Sequence, residues 1–348
     1  MKIEDFLGVE LPIVQAPMAG VQDSSLALAV SRAGGLGSVP CAALSLNEIE
    51  SELRLIKQSA TGPINLNFFC HQVPKVRPDI ESKWHELLMP YFMELGIERN
   101  TIPTTVSREP FSHATIDILE PFEPAILSFH FGLPERDLID RLKNWGATIL
   151  SSATTLEEAQ WLQENGADVI IAQGIEAGGH RGIFLNQNLL SQSSTTSLVV
   201  SIQREVKLPV IAAGGISSAN EVVKHLDNGA IAVQVGTAYL LCHEANTSQL
   251  HRRAIQENQP PSTSLTNLFS GRPARAIINR VITELGPINE NTPEFPRASM
   301  AMSCLRKVAE TNNSSDFSPL WCGQNTQACE AIPAYEQTLK LAAKLRKV

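Results

Sequence analysis

The 348-residue sequence predicts an α/β protein built as a TIM-type (β/α)8 barrel with an inserted lid-like segment and a C-terminal helical extension. Three observations predict it. Short apolar runs are each followed by a glycine-rich turn and a helical stretch, the pattern of a parallel sheet with crossover helices. Eight such runs can be counted, and eight βα units close into a barrel, whereas a doubly wound sheet usually needs roughly five to seven strands. Three connecting helices also open with the same local signal, a Ser or Thr followed three residues later by Glu.

The runs are 12–15, 35–39, 64–68, 125–129, 148–151, 168–172, 209–213 and 231–235. Ser45 with Glu48 precedes Ile49, Leu53 and Ile56. Thr155 with Glu158 introduces Leu156, Ala159 and Leu162, and Ser218 with Glu221 introduces Val222, Val223 and Leu226. Asn165-Gly166 and Asn228-Gly229 supply the stops. Two regions break the rhythm. In 72–124, Trp84, Leu87, Leu88, Tyr91 and Phe92 predict a helix among prolines, and an excursion on the C-terminal side of a barrel strand would sit over the site. Beyond the Pro260-Pro261 linker a further helix is expected at 295–309. The domain reading is therefore a barrel over 1–258 and an extension over 259–348 packed on it.

With 43% hydrophobic and 18% charged residues the chain has enough apolar material for a large core, which excludes a disordered or collagen-like protein. Twenty-eight basic against 36 acidic residues give a formal net charge of −8. Long-range forces then oppose nucleic acid and anionic membranes, and neither is expected as a partner. The least polar stretch, 228–242, falls short of the roughly 20 apolar residues of a membrane helix. The N-terminus has no apolar core of a secretory signal, and the six cysteines form no CxxC pair, so a cytoplasmic location, reduced thiols and no bound metal are expected. Oligomeric state stays open, a homo-oligomer being compatible with everything read here.

In such a barrel the reactive face is the set of loops after the strand C-termini. Those loops hold Ala16-Pro17-Met18, Asn67, His130-Phe131-Gly132, Gln173 through His180, Gly214-Gly215 and Gly236-Thr237. Glycines and amides together let a flat polar cofactor approach backbone while its hydrogen-bonding edge is satisfied. The glycines after the seventh and eighth runs free backbone N–H groups to meet a phosphate at a helix N-terminus.

The segments QAPMAGVQDSSLALAVSRAGGLGS, INLNFFCH, SFHFGLP, AQGIEAGGHRG, PVIAAGGISS and AVQVGTAYLLCHE, with FSGRPAR in the tail, resemble the successive motifs of the FMN-dependent nitronate monooxygenases, and most closely the branch acting on propionate 3-nitronate. The resemblance implies FMN contacts at Met18, Asn67, Gln173, Gly178, Gly215, Gln234, Val235, Gly236 and Thr237. Met18 would lie against the ring, Asn67 and Gln173 would bond its polar atoms, and the glycines with Thr237 would hold the phosphate. The family's active-site histidine falls on His130, which as a lone histidine after an apolar run would otherwise read as a satisfied core residue. An imidazole there could donate a hydrogen bond to an anionic nitronate and orient it.

The implied activity is oxidation of small alkyl nitronates with dioxygen to an aldehyde or keto product plus nitrite. The nearest rival is an FMN-dependent NAD(P)H enoyl-acyl-carrier-protein reductase, which shares the barrel and many glycine motifs; a non-catalytic flavin-binding regulator is a third reading. His180 is open between ligand contact and loop support. Glu176 reads as structural, because a carboxylate beside phosphate and an anionic substrate would repel both. Arg181, Arg272 and Arg275 are open between offsetting ligand charge and ordinary salt bridges.

Overall fold

The computed structural model describes residues 3–105, 108–257 and 260–345. Among the described residues there are eleven strands: β1 Ile13–Gln15, β2 Gly37–Pro40, β3 Ile64–Phe69, β4 Ile126–His130, β5 Thr148–Ala153, β6 Val169–Gln173, β7 Gly179–His180, β8 Val210–Ala213, β9 Ala232–Val235, β10 Thr263–Thr266 and β11 Ala274–Ile277. Eight of them form one parallel sheet in the order β1-β9-β8-β6-β5-β4-β3-β2. The cylinder closes where Gln15 N–H donates to Leu36 O and Leu36 N–H donates to Ile13 O, both at 2.9 Å. Each of the eight apolar runs supplies one barrel strand, because strands covered on both faces must be apolar almost throughout.

The barrel interior is filled at its N-terminal end by Val14, Leu36, Ile126, Leu150, Val169, Ile171 and Ile211, and the helix Glu4–Leu7 plugs that end with Leu7. Higher up, the lining turns polar. Ser38 N–H donates to Gln15 Oε1, Asn65 Nδ2 to Ser38 Oγ, and Asn67 Nδ2 to Ser128 Oγ. Burying such groups is tolerable only because they bond one another.

The helix starts follow the predicted residues but not always the predicted bonds. Ser45 and Glu48 make a complete capping box. At Thr155 and Ser218 the hydroxyl does accept from the N–H three residues on, yet Glu158 and Glu221 reach one residue further back, to the N–H groups of Thr154 and Ser217. Glu158 is almost completely buried and also accepts from Phe184 N–H at 2.7 Å, so a tertiary partner overrides the local box.

The inserted segment folds as a helix over Pro78–Glu94, with Trp84, Leu88, Tyr91 and Phe92 buried as the sequence predicts. These side chains pack chiefly on the tail, against Leu268, Ile282, Met302, Leu305 and Phe317, and form a core separate from the barrel's. The helix expected at 295–309 runs over Ala298–Thr311. Alongside its helices the extension contributes the hairpin β10–β11, whose Ala274 and Arg275 pair antiparallel with His180 and Gly179 of β7. Its last helix, Ala334–Ala342, packs against Ser24–Arg32, Ala219–Asp227 and β1, taking the outer position that the eighth βα unit leaves open. The boundary expected at 258/259 lies outside the described residues. Among the described residues no helix is long and apolar enough to cross a membrane.

Candidate active site

At the C-terminal ends of the barrel strands lies an open cavity, the place where barrels of this kind bind their ligands. Met18, Asn67, His130, Gln173, Gly178, Gly215, Gln234, Val235, Gly236 and Thr237 all line it. Their positions follow from the fold: His130 and Gln173 end β4 and β6, Val235 ends β9, and the glycines occupy the turns that follow.

His130 sits opposite Phe69 in the β3–β4 register. Its Nδ1 is 3.1 Å from Ser152 Oγ and its Nε2 is 3.2 Å from the carbonyl oxygen of His180. A carbonyl can only accept, so Nε2 carries the proton and Nδ1 accepts from the serine hydroxyl. Burial lowers the His130 pKa to about 4, so the ring is a neutral imidazole at neutral pH. The N–H expected to meet a substrate anion is thus held by His180 O at rest. The same carbonyl accepts from Gln173 Nε2 at 2.9 Å, and Gln173 Oε1 accepts from Gly182 N–H, so Gln173 retains its second amide hydrogen and one Oε1 lone pair for a ligand. Asn67 gives Nδ2 to Ser128, and among the described residues nothing donates to its Oδ1.

Next to His130, Phe131 adopts φ 70°, a left-handed conformation unusual for a bulky residue. Packing compensates: its ring centroid is 5.0 Å from Phe69 and 5.5 Å from Phe295, with the Arg272 guanidinium 4.2 Å above it. His180 is wedged between Phe295 and Trp321 and bonded through Nε2 to Ser270 Oγ at 2.8 Å, which answers in part the question left open for it.

The glycine end of the cavity is tighter than the sequence indicates. A Cβ on Gly178 would lie 2.5 Å from Gly323 N, and one on Gly236 would lie 3.3 Å from Ala16 Cβ and 3.6 Å from Met18 Sδ. Gly215 has φ 71°. Gly323 N–H donates to Thr237 Oγ1 at 3.0 Å, and Asn325 Nδ2 donates to Gly215 O at 3.1 Å. Trp321, Gly323 and Asn325 therefore belong to the lining, and sequence reasoning missed them. The glycine-amide composition of 321–325, matching that of the strand-end loops, is the signal that would have found them. Gln234 Oε1 is buried with no partner among the described residues.

The three arginines left open are structural. Arg181, only 1% exposed, donates to Gln173 O, Gly174 O and Gln192 Oε1, Arg275 to Ile175 O, and Arg272 to Ile183 O. Glu176 accepts from Thr195 N–H and Oγ1 at the start of the helix Thr195–Glu205, in line with its structural reading. His113, Glu135 and Asp137, a cluster of metal-type donors, are exposed on the outer surface and form no part of the cavity.

The family model for nitronate monooxygenase matches residues 1–342. The chain belongs to the nitronate monooxygenase family. It is 37% identical over 345 residues to the nitronate monooxygenase of Pseudomonas aeruginosa, covering 98% of this chain and 97% of that one. The enzyme of the same name from Paraburkholderia phytofirmans is 36% identical, with coverages of 98% and 94%. Among solved structures, a nitroalkane oxidase from Streptomyces ansochromogenes superposes with a TM-score of 0.90 at 33% identity, covering 99% of this chain and 97% of that one. FabK from Thermotoga maritima matches at 0.71 with 22% identity, over 97% and 94% of the two chains, a likeness of fold. Within the nitronate monooxygenase frame, the additional lining residues Arg108 and His251 come from the insertion and from the helix Gln249–Glu257. Neither carries a local sequence signal.

Proposed function

We propose that the protein holds FMN across the mouth of the barrel and oxidises small nitronates with dioxygen to an aldehyde or keto product and nitrite. The observation that carries this reading is the buried, unpartnered Gln234 Oε1 in a cavity that glycine backbone lines at its Gly178, Gly215 and Gly236 end. A buried acceptor without a donor is costly, and an N–H on the edge of a bound ring would satisfy it. The close packing around Gly178 and Gly236 fits a cradle in which backbone, rather than side chains, meets the ligand.

In this reading Gly215, Gly236 and Thr237 hold the phosphate, Met18 lies against the ring, and Asn67 Oδ1, Gln173 and Gln234 bond its polar edge. Bound FMN supplies the electron acceptor for the nitronate and the route of electrons to dioxygen. The chain's own part is to position and to desolvate. Neutral His130 presents Nε2–H, with Ser152 fixing the tautomer, and a nitronate oxygen would compete with His180 O for that proton. Phe69 and Phe131 pack against the imidazole, at ring-centroid distances of 5.8 and 4.6 Å, with Phe295 behind them, and make its surroundings apolar. No Asp or Glu lines this cavity, and the carboxylates beyond Gly214 and Gly215, Glu176 and Glu221, are engaged by the N–H groups of Thr195 and Ser217. Six free cysteines suit a reducing compartment, and we place the protein in the cytoplasm.

The test is an absorbance spectrum of the purified protein with and without added FMN, followed by a nitrite assay with a nitronate in air. A yellow protein releasing nitrite is expected. A colourless chain indifferent to FMN refutes the cofactor. Rapid anaerobic bleaching by NADPH without nitronate turnover would transfer the site to the reductase chemistry.

A further inference from the structure

The insertion places one cationic side chain in the cavity wall, that of Arg108. Its guanidinium lies 5.9 Å from the Phe295 ring centroid. Among the described residues no hydrogen bond or ion pair engages the Arg108 side chain, whereas Arg181, Arg272 and Arg275 all direct theirs at backbone carbonyls. No Asp or Glu lines the cavity, and burial keeps the lining histidines His130, His180 and His251 neutral. A partly desolvated cation without a counter-ion is unfavourable in the empty site and becomes favourable when an anion joins it. Arg108 acts electrostatically on His71 and His180, on the imidazole side of the cavity. The Phe295 ring that it faces is 5.5 Å from Phe131, which in turn is 4.6 Å from His130.

We infer that Arg108 is a specificity-determining residue that binds a carboxylate on the substrate, at the end remote from the nitronate carbon. The inference rests on the nitronate reading above. A guanidinium suits it, since its planar fork pairs with both carboxylate oxygens. The site is then matched to a short dianion, with one planar charged end at His130 and the other at Arg108.

Carboxylates are planar monoanions like nitronates, so succinate is an unreactive stand-in for propionate 3-nitronate and butyrate for propyl-1-nitronate. Isothermal titration of the FMN-loaded protein should show succinate binding at least about ten-fold more tightly than butyrate. Arg108→Met should abolish that preference while retaining flavin, and Arg108→Lys should restore part of it. In turnover, Arg108→Met should reduce the ratio of kcat/KM for propionate 3-nitronate over propyl-1-nitronate by about ten- to a hundred-fold. Equal affinity of the native protein for succinate and butyrate, or an unchanged ratio in the Met variant, overturns the assignment. If the native protein oxidises neither nitronate, the proposed activity fails, while the succinate-butyrate comparison still decides Arg108.

Discussion

Gly178→Ala is the substitution whose effect can be worked most directly from the coordinates. An added Cβ would fall 2.5 Å from Gly323 N and 2.7 Å from the Cys322 carbonyl carbon, both backbone atoms that cannot rotate away. Restoring an ordinary contact requires moving the 322–323 backbone by about 1 Å, given that carbon contacts settle near ~3.5 Å. That shift stretches the Gly323 N–H bond to Thr237 Oγ1 and the Gln324 N–H bond to Glu176 O, both now 3.0 Å. Each bond is worth about 1 kcal/mol net, and overpacking adds about 1–3 kcal/mol, so a loss of about 3–5 kcal/mol is expected. Gly179→Ala is the control. There φ is 70° and nothing lies within 4 Å, so only left-handed strain of about 1 kcal/mol applies. Urea unfolding of both variants, with FMN titration by fluorescence, measures the difference. If Gly178→Ala unfolds within about 0.5 kcal/mol of the native protein and binds FMN equally well, the packing argument at this end of the cavity is wrong.

Three further outcomes are expected. His130→Asn should keep its flavin and lose about a hundred-fold or more in turnover, read by nitrite release; unchanged kinetics would remove His130 from the chemistry. Gln234→Leu removes an unsatisfied buried acceptor, so the flavin-free protein should be no less stable in a thermal melt while FMN affinity falls about ten-fold; parallel losses in both would show that the oxygen has a partner within the fold. His71 and His251 are each less than 5% exposed, and burial lowers each pKa from 6.5 to about 4. The unfolded chain takes up those protons first, so the stabilisation is complete above about pH 6.5 and is lost as pH falls towards 4. Each histidine contributes about 2 kcal/mol of that loss by pH 5, and a denaturant series with a flat profile from pH 7.5 to 5 would contradict it.

Much of the barrel was legible because its signals are local. A strand covered on both faces is apolar throughout, the turn after it needs glycine where φ is positive, as at Gly214 and Gly215, and a helix stops at a left-handed glycine, as at Gly166. The strand-end rule then brought the predicted residues to one cavity without knowledge of how the sheet closes. The illegible parts depend on distant partners. Nothing near Trp84 or Leu88 indicates that they pack on Leu305 and Phe317. Glu158 carries the pattern of a helix cap and serves Phe184 N–H as well. The two-residue β7 is too short for any periodicity, yet its pairing with Ala274 and Arg275 fixes the carbonyl that holds both His130 and Gln173.

The helix Ala334–Ala342 has a consequence for synthesis. Thr338 meets the Tyr239 hydroxyl at 2.9 Å, and Ala334 and Leu341 are buried in the same core as Ile13 and Val233. A ribosome therefore releases the first and last barrel strands long before it makes the segment that shields them. Until translation ends, that flank of the nascent cylinder stays bare, and a premature stop before codon 334 would leave a full set of strands with one greasy side open to aggregation.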